Sequence, residues 1–225
     1  MIRLVLFDID GTLIHSGGAG VKAFGRAFAA EFGLANGTER MQFAGRTDTG
    51  LVREFFRLHH IDPTPAHFRQ FFDCYVFWLD HLLHHTGGGL CPGAGEFLAD
   101  VAALPNRPLV GLLTGNIRLG AEIKLRHFGL WDWFATGGFA DDHENRDLIA
   151  HAAAERGRRL LGKNLRGEEI LVIGDTPLDI QCGRAIGAKV LAVATGGASV
   201  EKLRPHQADW LVEDLRNVCA AEICA

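Results

Sequence analysis

The chain has 225 residues but no long apolar run, no excess of positive charge and no closely spaced cysteine pair. No stretch is apolar for long enough to span a bilayer. The N-terminal apolar run stops at Asp8, directly after Phe7, too early for the core of a secretion signal. Both absences predict a protein that neither enters a membrane nor leaves the cell by that route. Lys and Arg number 23 against 27 Asp and Glu, a net charge of −4. That balance lacks the electrostatic footprint of a nucleic-acid or membrane-surface binder. The densest basic stretch, "RGRRLLGKNLR" at 156–166, reads as a helix end and the loop after it, because cations favour a helix C-terminus. Cys74, Cys91, Cys182, Cys219 and Cys224 form no CxxC motif and leave an odd thiol over, which predicts reduced cysteines in the cytoplasm. Internal repeats and low-complexity tracts are missing too. What remains is an ordinary globular composition, 48% hydrophobic and 22% charged, enough for one large domain or two small ones.

Four short runs are apolar without alternation: "IRLVLF" (2–7), "PLVGLL" (108–113), "EILVIG" (169–174) and "KVLAVA" (189–194). Strands covered on both faces read this way. Helical patterns lie between them at 93–104, 117–128, 145–157 and 177–187. The alternation predicts an α/β fold, a doubly wound parallel sheet of Rossmann-like type with right-handed crossovers. One segment breaks the rhythm. Between Gly17 and Gly89 there is aromatic-rich helical periodicity and no buried strand. Val21, Phe24, Phe28 and Phe32 are expected to share one helix face, and Phe68, Phe72, Tyr75, Leu79 and Leu82 another. Glycines at 17–18 and 87–89 bracket the segment like hinges. Residues 17–88 are therefore expected to form an inserted helical cap, and 1–16 with 89–225 the core.

The first strand runs into "DIDGTL". Asp8 and Asp10 are two residues apart, so they point the same way as the chain leaves the sheet. Ligands of open α/β sheets bind outside the carboxyl ends of the strands. After the second run comes Thr114-Gly115-Asn116, and after the third come Asp175 and Asp179. One end of the sheet thus gathers several carboxylates, a hydroxyl and an amide. Acids so close raise one another's pKa unless a cation sits among them, and hard oxygen ligands suit Mg²⁺. One carboxylate can attack phosphorus to form an aspartyl phosphate. Another, two residues on, can protonate the leaving alcohol and then deprotonate water.

"FDIDGTL", "LLTGN" and "VIGDTPLD" resemble three of the four motifs of the haloacid dehalogenase superfamily, in matching order and spacing. The chain is similar in particular to the phosphatase branch of the phosphoglycolate phosphatase type, with a helical cap inserted after the first motif. The resemblance implies an Mg²⁺-dependent phosphatase for a small phosphorylated metabolite, phosphoglycolate-like or a sugar phosphate. It makes Asp8 the nucleophile and Asp10 the general acid/base. Thr114 would hold the phosphoryl group, with Gly115 and Asn116 beside it toward substrate. Asp8, the backbone carbonyl of Asp10, and Asp175 would bind Mg²⁺, supported from outside by Asp179. The remaining motif usually offers a lysine, and "GGFADDHENRDLIAHAA" has none; the candidate cation is Arg146, with Lys124 or Arg118 as competitors. An arginine carries the same charge in a different, planar geometry. The protein is expected as a monomer or homodimer.

Three other stretches invite a function. "GAGVKA" (18–23) fits a loose dinucleotide fingerprint, but no strand directly precedes it and a Phe-rich helix follows. "HLLHH" (81–85) spaces two histidines for a metal, without an evident third ligand, and reads as a polar helix face. In "FAGRTD" (43–48), Thr47 or Asp48 can cap the next helix, which leaves Arg46 free to reach a substrate anion. A phosphomutase would share all these catalytic residues. A dehalogenase would need neither Asp10 nor a metal. A phospho-acceptor signalling domain gathers similar groups but has no use for a cap.

Overall fold

The computed structural model describes residues 1–35, 37–38, 41–162 and 164–225. The elements that matter begin with β1 (Leu4–Phe7), β2 (Ile14–His15), α1 (Ala19–Phe32), α2 (Asp48–Leu58) and α3 (Pro65–Leu83). Next come β3 (Gly89–Leu90), α4 (Ala94–Ala103), β4 (Leu109–Leu113), α5 (Arg118–His127), β5 (Thr136–Gly138) and α6 (Arg146–Leu161). Then follow β6 (Ile170–Gly174), α7 (Pro177–Ala185), β7 (Lys189–Val193) and β8 (Trp210–Val212).

Six strands form one sheet in the order β5-β4-β1-β6-β7-β8, and each neighbouring pair is parallel. β1 lies in the interior, with Val5 opposite both Val110 and Leu171. Its side chains divide between two apolar layers, as the pleat requires. Val5 and Phe7 join Phe97 and Leu98 of α4 on one face, while Leu4 and Leu6 join Ile149 and Ala153 of α6 on the other. A Cβ at Gly157 of α6 would lie 2.5 Å from Leu4 Cδ2, so this glycine sets how closely the helix approaches the sheet. The doubly wound α/β core expected from the apolar runs is thus the fold observed.

Two strands of this six-stranded sheet were not legible in the sequence. β5 is three residues, two of them glycine, a composition that argues against a strand on propensity. Gly138 serves closeness instead: a Cβ there would lie 2.6 Å from the Ile149 carbonyl oxygen. β8 is a half-buried edge strand of three residues, too short to show a period. The helix expected at 145–157 continues to Leu161, with Arg158 and Arg159 in its last turn. Lys163, within the basic stretch, lies outside the described residues.

Helices α1, α2 and α3 stand between β2 and β3, which pair antiparallel, Ile14 with Leu90 and His15 with Gly89. This two-stranded ribbon carries the chain out of the core and back. A Cβ at Gly17 would lie 2.5 Å from the Gly87 carbonyl oxygen, which is why both crossings are glycine-rich. α1 ends at Gly33, in the left-handed conformation, whose N–H bonds to the Ala29 carbonyl. α3 begins at Thr64, whose hydroxyl accepts from the His67 N–H, with Pro65 in the first turn.

The aromatic core of these helices differs from the expected faces in two respects. Phe24 and Phe28 are buried, but Val21 is 44% exposed and lines a cavity between these helices and the core instead. On α3 the buried seam runs through Phe71, Tyr75, Leu79 and Leu83, while Phe68, Phe72 and Leu82 are only half-buried. The expected seam included Tyr75 and Leu79 but missed Phe71 and Leu83. A run of adjacent aromatics does not reveal which of them points inward, and here α1 and α5, both packed on α3, decide it.

Candidate active site

Asp8 directly follows β1, and its N–H bonds to the Ile173 carbonyl at 2.9 Å, continuing the ladder to β6. Asp175 follows β6 and brings its carboxylate to the same end of the sheet. There Asp175 Oδ2 accepts the Gly197 N–H at 3.0 Å. A Cβ at Gly196 or Gly11 would collide with this carboxylate, so two glycines make its seat. Asp179, in the first turn of α7, accepts from the N–H and hydroxyl of Thr176 at 2.9 and 2.6 Å. One carboxylate oxygen from each of Asp8, Asp175 and Asp179 lies within 4.8 Å of the others.

Burial, and then the Asp179 charge, push the Asp8 carboxyl up to about 7 and the Asp175 carboxyl up to about 8. Buried acids held this close are the environment a hard divalent cation relieves. The donor set of carboxylate oxygens fits Mg²⁺.

Arg146 opens α6, capped by the Asn145 side chain. It is buried. Its Nη2 is bonded to Asp179 Oδ1 and lies 3.6 Å from Asp8 Oδ1, and its Nη1 donates to the Gly45 carbonyl at 3.3 Å. The guanidinium therefore touches both the acidic cluster and the loop before α2. Arg118, one of the two competing cations, points elsewhere: its guanidinium lies over the rings of Trp131 and Phe139.

Asp10 faces away from this cluster. Its Oδ2 accepts from Lys124 Nζ at 2.6 Å and from Asn116 Nδ2 at 2.9 Å. Asn116 also donates to Thr114 Oγ1 at 2.8 Å and accepts from Lys124 at 2.6 Å. Lys124, the other competing cation, thus sits on Asp10 rather than on Asp8.

The cap closes the site from the opposite side. Thr47 caps α2, accepting from the Gly50 N–H. Asp48 does not cap its own helix but reaches across, its Oδ2 accepting from the Ile117 N–H at 2.8 Å, while its N–H donates to the Gly115 carbonyl at 2.7 Å. Burial pushes the Asp48 carboxyl up to about 7. A Cβ at Gly115 would lie 2.2 Å from the Arg46 carbonyl oxygen, so only glycine lets the two loops meet. Arg46 is not free: its guanidinium is paired with Glu54.

A cavity of about 420 Å³ lies between core and cap. Asp8, Asp10, Thr114, Gly115, Asn116, Arg146 and Asp175 line it from the core, and Arg46, Asp48, Phe43 and Val21 from the cap. Sequence reasoning missed Asp48 as a link between cap and core, and Gly196-Gly197. The glycines carried a signal, since they follow the fourth apolar run at the same sheet end. Asp48 carried none beyond its capping pattern.

Histidines 84 and 85 each direct Nδ1 to a backbone carbonyl one turn back, that of Asp80 for His84 and that of His81 for His85, and among the described residues the metal-binding geometry is met only by Asp8, Asp175 and Asp179. No helix among the described residues is long and apolar enough to cross a membrane.

Comparison with known proteins agrees with this geometry. The family model described as haloacid dehalogenase-like hydrolase matches residues 5–193. A phosphoglycolate phosphatase of Pectobacterium atrosepticum is 28% identical over 224 residues, covering 96% of this chain and 91% of the relative. Among solved structures, CbbY from Rhodobacter sphaeroides in complex with phosphate superposes with a TM-score of 0.75 at 18% identity, covering 96% of each chain. A protein described as a predicted phosphoglycolate phosphatase from Haemophilus somnus gives 0.73 at 18% identity, covering 100% of this chain and 98% of the other. With the family model spanning most of its length and the fold shared throughout, the chain belongs to the haloacid dehalogenase-like hydrolase family.

Proposed function

We propose that this hydrolase is an Mg²⁺-dependent phosphatase that cleaves a small phosphorylated metabolite through an aspartyl phosphate on Asp8. The observation that carries this reading is the convergence of Asp8, Asp175 and Asp179 on one point beneath a cavity that Asp10, Thr114 and Arg146 also line. Asp8 and Asp175, with the backbone carbonyl of Asp10, would hold Mg²⁺, and Asp179 would support them from outside. When bound, the ion would supply positive charge against the phosphoryl oxygens and keep neighbouring carboxylates ionised.

The residues divide the rest of the chemistry. Asp8 Oδ attacks phosphorus as the bond to the leaving oxygen breaks, and Asp10 gives that oxygen a proton. Asp10 then takes a proton from the water that attacks the phosphoryl group, and the Asp8 carboxylate is regenerated. The Thr114 hydroxyl, with Gly115 and Asn116 beside it, would hold the phosphoryl oxygens. Arg146 would balance the charge gathered on Asp8 and the group in transfer.

Residues 17–88 would act as a cap that excludes water and selects the substrate, over a core of 1–16 and 89–225. Docking of the Asp48 and Gly45 loops on the core supports that role. Arg46, which lines the cavity paired with Glu54, would have to leave that partner to reach a substrate anion. The name of the Pectobacterium relative makes phosphoglycolate the first compound to test. All five cysteines are free thiols, which agrees with a reducing, cytoplasmic setting.

The test is a panel of phosphorylated metabolites, phosphoglycolate and sugar phosphates included, assayed with Mg²⁺ and with excess chelator. Release of inorganic phosphate only with Mg²⁺, and acid-stable label on Asp8 after quenching with a labelled substrate, is the expected result. Transfer of label to a second hydroxyl of the substrate, without free phosphate, would make the enzyme a mutase instead. Undiminished hydrolysis in chelator would rule the mechanism out.

A further inference from the structure

The acid/base assigned to Asp10 has a partner that the proposed chemistry leaves unexplained. Lys124 stands in the last turn of α5, on the face where Ala121 and Leu125 are fully buried. An apolar residue is the default at such a position. A lysine there gives up its hydration and needs compensation in full. Its side chain is only 4% exposed, whereas that of Asp10 is 42% exposed toward the cavity. Lys124 Nζ donates at 2.6 Å to Asp10 Oδ2 and at 2.6 Å to Asn116 Oδ1. Asn116 closes the triangle by donating to Asp10 Oδ2 at 2.9 Å. Gly20 of α1 lies above the ammonium, where a Cβ would come within 3.6 Å of Nζ.

We propose that Lys124 is a positioning residue for Asp10: a buried ammonium that, with Asn116, fixes the side chain of Asp10 at the cavity wall and so sets the path by which its proton reaches the leaving oxygen. The assignment rests on the phosphatase reading above. The geometry separates the two cations of the site by task. Arg146 serves the phosphoryl end through Asp8 and Asp179, and Lys124 serves the leaving-group end through Asp10. The reaction itself is unchanged: the Asp8–phosphorus bond forms, the bond from phosphorus to the leaving oxygen breaks, and the Asp10 proton ends on that oxygen. Lys124 touches neither the phosphorus nor the water. It acts only through the carboxyl it holds.

A merely structural ion pair and a positioning residue differ in how they depend on the leaving group. Phenyl, 4-nitrophenyl and 2,4-dinitrophenyl phosphate demand progressively less protonation of the departing oxygen. For each, kcat/KM reports the steps through transfer to Asp8. These three esters are to be assayed with Mg²⁺ on the full chain, as wild type, Lys124→Met and Lys124→Arg. Lys124→Met should lose about tenfold or more on phenyl phosphate, the lower range of what a displaced general acid costs, with the loss shrinking toward roughly twofold on the dinitrophenyl ester. Lys124→Arg, which keeps the charge, should fall between Met and wild type on phenyl phosphate. The ratio of kcat/KM between esters does not depend on the fraction of protein that folds, so a poorly folding Met variant still gives an answer. The same fold-loss on all three esters, or no loss on any, overturns the proposal. A wild-type enzyme that hydrolyses neither these esters nor any metabolite of the panel overturns the phosphatase reading itself, and this one with it.

Discussion

Arg146 and Asp8 face each other at 3.6 Å, Nη2 to Oδ1, although one opens α6 and the other directly follows the first strand. The same guanidinium is bonded to Asp179 and, through Nη1, to the Gly45 carbonyl of the cap loop. It stands where the resemblance called for a lysine. An ammonium at this place would offer a point charge; the planar fork lets one side chain face two carboxylates and a carbonyl at once.

Arg146→Ala should therefore lower kcat by on the order of 10²-fold or more, by analogy with removing one donor from a transition-state anion site. Arg146→Lys should retain part of the activity, since the charge survives and the fork does not. Steady-state kinetics on the best substrate of the panel decide it: an Ala variant within about twofold of wild type would remove Arg146 from the mechanism.

Asp8→Asn keeps the shape of the side chain and removes its nucleophilicity. Turnover should vanish while the melting temperature holds or rises, because the buried carboxyl is already pushed up to about 7 by desolvation. Retention of more than a few per cent of activity, with deamidation excluded by mass spectrometry, would overturn the nucleophile assignment.

Binding of Mg²⁺ should release protons near neutral pH. With Asp8 held at about 7 and Asp175 at about 8, both carboxyls are substantially protonated in the metal-free fold at pH 7. A cation requires them ionised, so its affinity should rise as pH increases through this range. Calorimetry at pH 7 in buffers of different ionisation enthalpy should show net proton release, and an affinity independent of pH from 6 to 9 would contradict it. Calcium should support hydrolysis poorly, since it favours more ligands and looser geometry.

Asp48 gives a stability prediction with a definite sign. Its carboxyl titrates near 3.8 when unfolded and is pushed up to about 7 in the fold by burial. Between those values the folded chain holds a proton that the unfolded chain has lost, so stability falls as pH rises from about 4 to 7. Above that window the fold carries a buried charge. Asp48→Asn retains an oxygen to accept the Ile117 N–H and removes the charge. Its melting temperature at pH 8 should exceed wild type by about 2–4 °C, the shift expected for about 1 kcal/mol in a chain of this size. The gain should shrink toward pH 5. A gain of equal size at both pH values would show that the buried charge is not its source, and a loss at pH 8 that the carboxylate stabilises the cap–core junction.

The legible part of the site was the part that follows a strand. Asp8, Thr114 and Asp175 each come directly after an uninterrupted apolar run, and a parallel sheet brings the ends of such runs together. Arg146 was legible as a charge at the start of a helical pattern, in the stretch where a cation was missing. The cap offered by Thr47 or Asp48 was legible, and the hydroxyl of Thr47 takes that role; that Asp48 instead reaches across to the core was not legible, because Thr-Asp before a helix fits local capping chemistry. Val21 was assigned to the apolar core because helical spacing reports a face but not what faces it.

The order of apolar runs and acidic turns by itself determined the doubly wound core, the sheet end at which chemistry gathers and the break that holds the helical cap. Those features are written in residues close along the chain, where the periods of strand and helix act. Only the tertiary structure decided that Lys124 meets Asp10 across 114 positions, that Asp48 reaches the Ile117 N–H across 69, and that three-residue β5 and β8 complete the sheet. Each of those depends on how one element packs against another, and a buried charge takes its partner from whatever that packing brings within hydrogen-bond distance.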